Sequence, residues 1–460
     1  MGGLALCGGL VVMPEGARPA DVLVEGETIE AVTAPAESHG DRRTVDVEGC
    51  VVLPGTIDAH VHVHLPYVRL DGHVVWSSDG FPQASTAAAL GGTTTIIDFA
   101  MQDAGQDLLQ PLSERLEFAA ASTVDVALHC WIVDPSERAL AQLAELVARG
   151  VPSFKAFMAY SQLGEPMDDG ELYDLFDAVA AAGGLLAVHA ENAQLNARRL
   201  EEARRSGRTG FEHFPASRPA AGEEEAVCRA LVFARATGAP VYFVHLSTAA
   251  AVERVAAARA AGQTAWAETC PHFLLFDEDR YRGPEAGDFL MAPPLRRPSD
   301  REALWAALAE GAVDVVATDH SAWPRAVKNY GDGFLESIQG VAGLGLLLPL
   351  LAAAVGERRG LDWQTLARVT AEVPARVFGL YPRKGAILPG ADADLAVLDP
   401  RARTAVAAVP PSWSVDNCIY RGLPALYPRL VLRRGTTLVE DGRYVGPASG
   451  TGSFVAGART

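Results

Sequence analysis

Eight short strand-like runs alternate with alanine-rich helical stretches through the middle of the chain, and that alternation limits the folds open to it. The runs are TIDAHVHV (56–63), TTTIIDF (93–99), VDVALHCWI (124–132), SFKAFMAY (153–160), LLAVHA (185–190), PVYFVHLS (240–247), TAWAETCP (264–271) and DVVATDH (314–320). Most follow a helical stretch that ends in glycine, such as ALAQLAELVARG (139–150), where Gly150 is expected to cap the helix C-terminus. Eight apolar strands separated by helices predict a closed parallel barrel of the (β/α)8, or TIM, type, with an open doubly wound sheet as the competing arrangement.

The two ends of the chain have a different texture. Residues 1–53 read as short strands and turns without convincing helices, and 384–445 returns to that pattern in ADLAVLDP, LVLRRGTTLVEDG and GRYVG. Two all-β pieces at opposite ends can pair into one small domain. The expected organisation is therefore α/β, with a barrel over 54–383 and a β-sandwich built from 1–53 and 384–445. The tail 446–460 reads as loosely ordered or engaged with a neighbouring subunit.

Composition sets limits on partners. A formal net charge of -18 lacks the electrostatic footprint of a nucleic-acid binder or of a polybasic membrane contact. The opening MGGLALCGGLVVM has no basic segment before its short, glycine-broken apolar run, and reads as a strand rather than a signal peptide or membrane span. The six cysteines form no C-x-x-C pair, which predicts a reduced, cytoplasmic protein.

In a barrel of this kind the chemistry gathers at the C-terminal ends of the strands. Those ends carry His60 and His62, Lys155, His189, His245 and Asp319. His60 and His62, two apart on a strand, point to the same side. Imidazoles with a carboxylate suit zinc and similar divalent ions. A lone strand histidine is ordinarily a hydrogen-bonded structural residue, and His129, His213 and His272 are read that way. Asp319 could equally cap the next helix. Lys155 is harder to place. An ammonium in the apolar run FKAFMAY is costly to bury and cannot ligate a cation. It is either a snorkelling or salt-bridged lysine, or one carbamylated by CO2 into an anionic group able to bridge two metals.

The motifs PGTIDAHVH (54–62), GGTTTIIDF (91–99), SFKAFMAY (153–160), VHAEN (188–192), VHLS (244–247), ETCPHFL (268–274), APPLR (292–296), TDHS (318–321) and PRKGAILPGADADLAVLDP (382–400) run in order along the chain. Together they resemble the amidohydrolase superfamily, in the cyclic-amidohydrolase branch of hydantoinases, dihydropyrimidinases, allantoinases and dihydroorotases. The resemblance implies two divalent ions, Zn2+ in the first instance, with His60, His62 and Asp319 on one, His189 and His245 on the other, and N6-carboxylated Lys155 bridging both. It implies that Asp319 takes the proton of the attacking water and passes it to the leaving ring nitrogen. Tyr160 is similar to the tyrosine that hydantoinases place on the substrate carbonyl, and is otherwise a rim aromatic. The substrate-binding set implied is Tyr160, His64, Ala292 of APPLR and Gln339 of SIQG. A homotetramer is implied as well.

The chain departs from that pattern in places. Dihydroorotases carry arginine at the position of His64, and hydantoinases usually aspartate. Without the arginine there is no bidentate partner for a substrate carboxylate. Gln339 stands where hydantoinases have asparagine. Residues 65–82 are unusual for the branch, and Leu65, Tyr67, Val74, Val75, Trp76 and Phe81 are expected either to accept a hydrophobic ring substituent or simply to pack the loop. The activity expected is ring opening of hydantoins or dihydropyrimidines to N-carbamoyl amino acids. The alternative is allantoinase or another cyclic ureide or imide hydrolase. Non-catalytic assembly relatives have lost metal ligands, whereas all six are present here.

Overall fold

The computed structural model describes residues 3–68, 73–159, 166–328, 331, 333–410 and 412–459. Eight parallel strands form the central sheet in sequence order: Thr56–Asp58, Thr93–Met101, Asp125–Trp131, Ser153–Phe157, Leu185–His189, Val241–Phe243, Ala265–Thr269 and Val315–Val316. The first and last meet through a further parallel pair, Val61–His62 with His320–Ser321. Asp58 reinforces this closure, accepting hydrogen bonds from the Thr318 amide at 2.9 Å and the Thr318 hydroxyl at 2.6 Å. The sheet is therefore a barrel and not an open, doubly wound layer.

The strands read as nearly unbroken apolar runs because both of their faces are covered, by the barrel interior and by the helical ring. Every residue of Asp125–Trp131 is buried. The outer helices are amphipathic. Asp169–Ala181 starts with a reciprocal capping box between Asp168 and Glu171 and turns Leu172, Leu175, Phe176 and Val179 inward. Before Gly150 the expected single helix is two short ones, Glu137–Leu140 and Leu143–Ala148, and Gly150 follows their end at φ +87°.

Strands from both chain ends pair into one mixed nine-stranded sheet. The junction is the antiparallel pairing of Leu395–Leu398 with Val51–Pro54. Leu6, Val22, Val52, Leu395 and Leu432 form part of this sheet's own core. Between its C-terminal strands the chain leaves the sheet and packs on the barrel: Asn417 donates to the Trp323 carbonyl at 2.8 Å, and Tyr420 is fully buried.

The tail differs from expectation. Through residue 459 it is not loose, because it closes the N-terminal end of its own barrel. The Val126 amide donates to the Ser453 carbonyl at 2.9 Å, and the Val455 amide to the Val126 carbonyl at 2.8 Å. Val455 is buried among Ile57, Ile97, Tyr242 and Val315. A Cβ on Gly150 would lie 2.3 Å from the Cβ of Ala456, so glycine there also makes room for the tail. Beside it lies a buried charge cluster. Lys384 Nζ meets Asp125 at 2.5 Å, Asp394 at 2.7 Å and Asp392 at 2.9 Å, while Asp125 also accepts from the Ser453 amide at 2.9 Å.

Candidate metal centre and active site

The strand ends converge on one rim. His60 Nε2 and His62 Nε2 each lie 3.3 Å from Asp319 Oδ1, and these three residues form a group that could hold a metal ion. His189 Nδ1 and His245 Nε2 face each other at 3.0 Å. The rings of His60 and His245 stack at 5.5 Å, joining the two halves. Backbone strain is concentrated here: His64, His245 and Asp319 adopt positive φ of 49°, 40° and 48°, a conformation costing about 1–3 kcal/mol per non-glycine residue.

Lys155 is fully buried, and its Nζ has no hydrogen-bond partner among the described residues. Burial pulls its pKa down to about 7, against the attraction of Asp319 and Glu268. Burial likewise pulls His60 and His245 well below the ordinary imidazole range and lowers His189, and the Lys155 charge adds to this in all three. They stand as neutral imidazoles, the form that ligates metals. Burial opposes ionisation of Asp319, but the neighbouring His60 and His62 hold its carboxyl below the usual carboxylate range.

Behind these residues are carboxylates to which sequence reasoning gave no role. Glu268 Oε1 accepts from His60 Nδ1 and from the His245 amide, each at 2.9 Å, and Oε2 accepts from the Tyr242 hydroxyl at 2.7 Å. A proton fixed on Nδ1 leaves His60 Nε2 as the free lone pair facing Asp319. Glu191 accepts from His189 Nε2 at 2.7 Å and pairs with Arg218. Burial works against its charge, but Arg218 outweighs burial and brings its pKa to about 2. Both lie inside the motifs ETCPHFL and VHAEN. Asp98 supports the first strand's end, accepting from the Val63 amide at 3.2 Å and from Arg115 Nε at 2.6 Å.

The cleft above the rim is lined by five of the six expected ligands, His60, His62, His189, His245 and Asp319, and further by Leu65, Trp131, Phe157, Met291, Ala292, Ser321, Gln339 and Gly340. Ala292 and Gln339 are among these lining residues, and the buried Gln339 Oε1 has no hydrogen-bond partner among the described residues. His64 is not among the residues lining the cleft; its ring stacks on Trp76 at 4.6 Å. Tyr160 lies outside the described residues. Phe81 is not a rim residue: it begins the helix Phe81–Leu90 and is buried in the barrel core. Val74 and Trp76 are exposed, whereas Trp131 and Phe157, stacked at 4.5 Å, supply aromatic lining that the sequence did not reveal. His129 is structural, bonded to the Ser153 hydroxyl at 2.6 Å and the Ala59 carbonyl at 3.0 Å. His272 is buried near Tyr420, and His213 lies partly exposed beside Glu212.

Residues 51–424 match the amidohydrolase family. This chain belongs to that family. The amidohydrolase is 34% identical to a D-hydantoinase of Rhizobium radiobacter, with 95% of each chain covered. It is 35% identical to a D-hydantoinase of Streptomyces coelicolor, again with 95% of each chain covered. Its structure resembles that of a dihydropyrimidinase from Brevibacillus agri with a TM-score of 0.93, 30% identity and 99% of each chain covered.

The amidohydrolase's own residues suit a divalent cation. The donor set is imidazole and carboxylate, burial disfavours the charged form of His60, His189 and His245, and Glu268 and Glu191 direct the lone pairs of His60 and His189 inward. The orphaned Lys155 Nζ is the one atom that does not suit a cation as it stands. Its depressed basicity makes the free amine available at neutral pH, and the amine is the form that adds CO2.

Proposed function

We propose that this amidohydrolase opens cyclic ureides, 5-substituted hydantoins or dihydropyrimidines, to N-carbamoyl amino acids. We further propose that His60, His62 and Asp319 hold one divalent ion, Zn2+ in the first instance, that His189 and His245 hold a second, and that N6-carboxylated Lys155 bridges them. The observation that carries the reading is the buried Lys155 amine, with no hydrogen-bond partner among the described residues, at the rim that gathers His60, His62, His189, His245 and Asp319. When bound, the two cations supply an acidified water and a polarised amide carbonyl.

The chain's own groups do the rest. Asp319, ionised, accepts a proton as the water oxygen bonds to the ring carbonyl carbon. The same proton then goes to the ring nitrogen as the C–N bond breaks, and the carboxylic acid formed gives its remaining proton to solvent, leaving a carboxylate and a ureido NH2. Glu268 and Glu191 hold His60 and His189 in the ligating tautomer throughout. Tyr160 is assigned as the phenol donating to the developing oxyanion. Gln339 Oε1 is suited to accept from a ring N–H, and Leu65, Trp131 and Phe157 offer an apolar wall to an exocyclic substituent. His64, stacked on Trp76, is proposed to shape the rim loop rather than to meet the ring.

The test is hydrolysis of hydantoin, a 5-aryl hydantoin, dihydrouracil, allantoin and dihydroorotate by the metal-loaded protein. Hydantoins or dihydrouracil should be opened fastest. Faster opening of allantoin or dihydroorotate would reject the substrate assignment while leaving the chemistry in place. We also propose a homotetramer, supported by the exposed Val74, Trp76 and Phe118; sedimentation as a 48.6 kDa species alone would contradict it. The free state of all six cysteines suits a reducing compartment such as the cytoplasm.

A further inference from the structure

One buried lysine has no part in that chemistry, yet it touches the backbone on the far wall of the cleft. Lys328 is 1% exposed. Its Nζ donates to the carbonyls of Asp288 at 3.1 Å, Gly340 at 3.0 Å and Leu290 at 3.5 Å. These carbonyls belong to two separate segments. One runs directly into Met291 and Ala292, and the other carries Gln339 and Gly340, all four lining the cleft. The lysine's main chain joins the same arrangement, since the Ile338 amide donates to the Lys328 carbonyl at 2.9 Å. The two segments also meet each other: the Gly340 amide donates to the Leu290 carbonyl at 2.8 Å.

The wall has little freedom to settle elsewhere. Gly340 has φ +132°, and a Cβ there would lie 2.9 Å from Ser321, itself a lining residue, and 3.0 Å from Trp323 Nε1. On the outer side Arg325 pairs with Asp288 at 2.5 Å, so the first carbonyl is held by its own residue's side chain as well. A buried carbonyl deprived of its donor is left with its full desolvation cost, so removing the Nζ would favour separation of the two segments.

We propose that Lys328 is a positioning residue for substrate recognition: it clamps the 288–292 and 338–340 segments at the spacing that lets their cleft-facing atoms grip the ring. This rests on the reading of the cleft as the site of a cyclic ureide. The groups that carry out the attack stand on other elements, the ends of the first, fourth, fifth, sixth and eighth barrel strands. Loosening the clamp therefore weakens the grip on substrate and spares the chemical step.

The experiment is steady-state kinetics of Lys328→Met, which keeps the aliphatic stem and removes the donors, on the cyclic ureide that the native enzyme opens best. KM should rise on the order of tenfold, as the loss of one or two buried hydrogen bonds holding a binding surface does. kcat should hold within roughly threefold, and bound metal should equal that of the native protein. Lys328→Arg, which restores charged donors, should recover part of the loss in KM. A KM within roughly twofold of native overturns the inference, and so does a matching fall in kcat with loss of metal. If Lys328→Met does not fold, Lys328→Gln is read in the same way; if neither folds, the lysine is a folding residue and the inference fails. A native protein that opens no cyclic ureide overturns the functional reading and this inference with it. An active native enzyme with an indifferent Lys328→Met overturns this inference alone.

Discussion

The two ends of the barrel each bury a lysine, and the two lysines have opposite surroundings. At the N-terminal end Lys384 lies within 2.5–2.9 Å of three aspartates, and they outweigh burial and push its pKa up. At the C-terminal rim Lys155 Nζ faces the Phe157 ring at 4.8 Å but has no hydrogen-bond partner among the described residues, and burial brings it down to about 7. Burial alone does not decide what a lysine is for. The same low-dielectric interior fixes one as a permanent cation joining barrel, sheet and tail, and readies the other as an amine.

The contrast can be broken most severely at Lys155. Lys155→Ala should keep its fold and lose metal together with nearly all activity, with partial rescue by short carboxylic acids. Full metal content and full turnover in that variant would end the account of the rim. Asp319→Asn comes next, with an intact fold and turnover reduced by ~10²–10⁴-fold; a loss under about tenfold removes Asp319 from proton transfer.

The opposite end should respond in the opposite currency. Lys384→Met removes the cation shared by three buried carboxylates, leaving Arg383 on Asp392 and Arg434 on Asp125, and should cost about 3 kcal/mol of stability, measured by denaturant unfolding. The fraction that remains folded should retain its kcat. If Lys384→Met were stable and inactive, the division of labour between the two ends would be wrong.

How far the sequence led depends on whether a feature is local. The eight strands were legible because strands covered on both faces are continuous apolar runs, and the ligand candidates because they punctuate those runs at one end. Glu268 and Glu191 were not assigned: Glu268 meets His60, 208 residues away along the chain, only through folding, and Glu191, two residues from the His189 it holds, is kept ionised by Arg218, 27 residues away. Lys384 is separated from Asp125 by 259 residues, and no local pattern announces their pairing. Phe81, expected with the 65–82 residues either to meet a ring substituent or to pack the loop, instead begins a helix behind Gly80 with Pro82 in its first turn, and its ring goes to the core. The tail's small, polar composition suggested looseness, while its backbone pairs with the barrel along Val126.

Two smaller effects sharpen the same comparison. Glu268→Gln keeps the shape of the supporting carboxylate and removes its charge; metal affinity or activity should fall ~10–100-fold, with stability little changed. At the other end Val455→Ala should lower stability by about 1–2 kcal/mol through lost burial under the barrel and leave KM and kcat untouched. A kinetic effect of Val455→Ala would mean that the tail communicates with the rim.

The central claim, that the orphaned amine of Lys155 completes a two-metal centre, is tested most directly by a crystal structure of the metal-loaded protein with metal analysis of the same sample. The account predicts a pair of divalent ions per chain and density for a carboxylate group on Lys155 Nζ lying between them. A bare Lys155 Nζ in a fully active, metal-replete enzyme would contradict it.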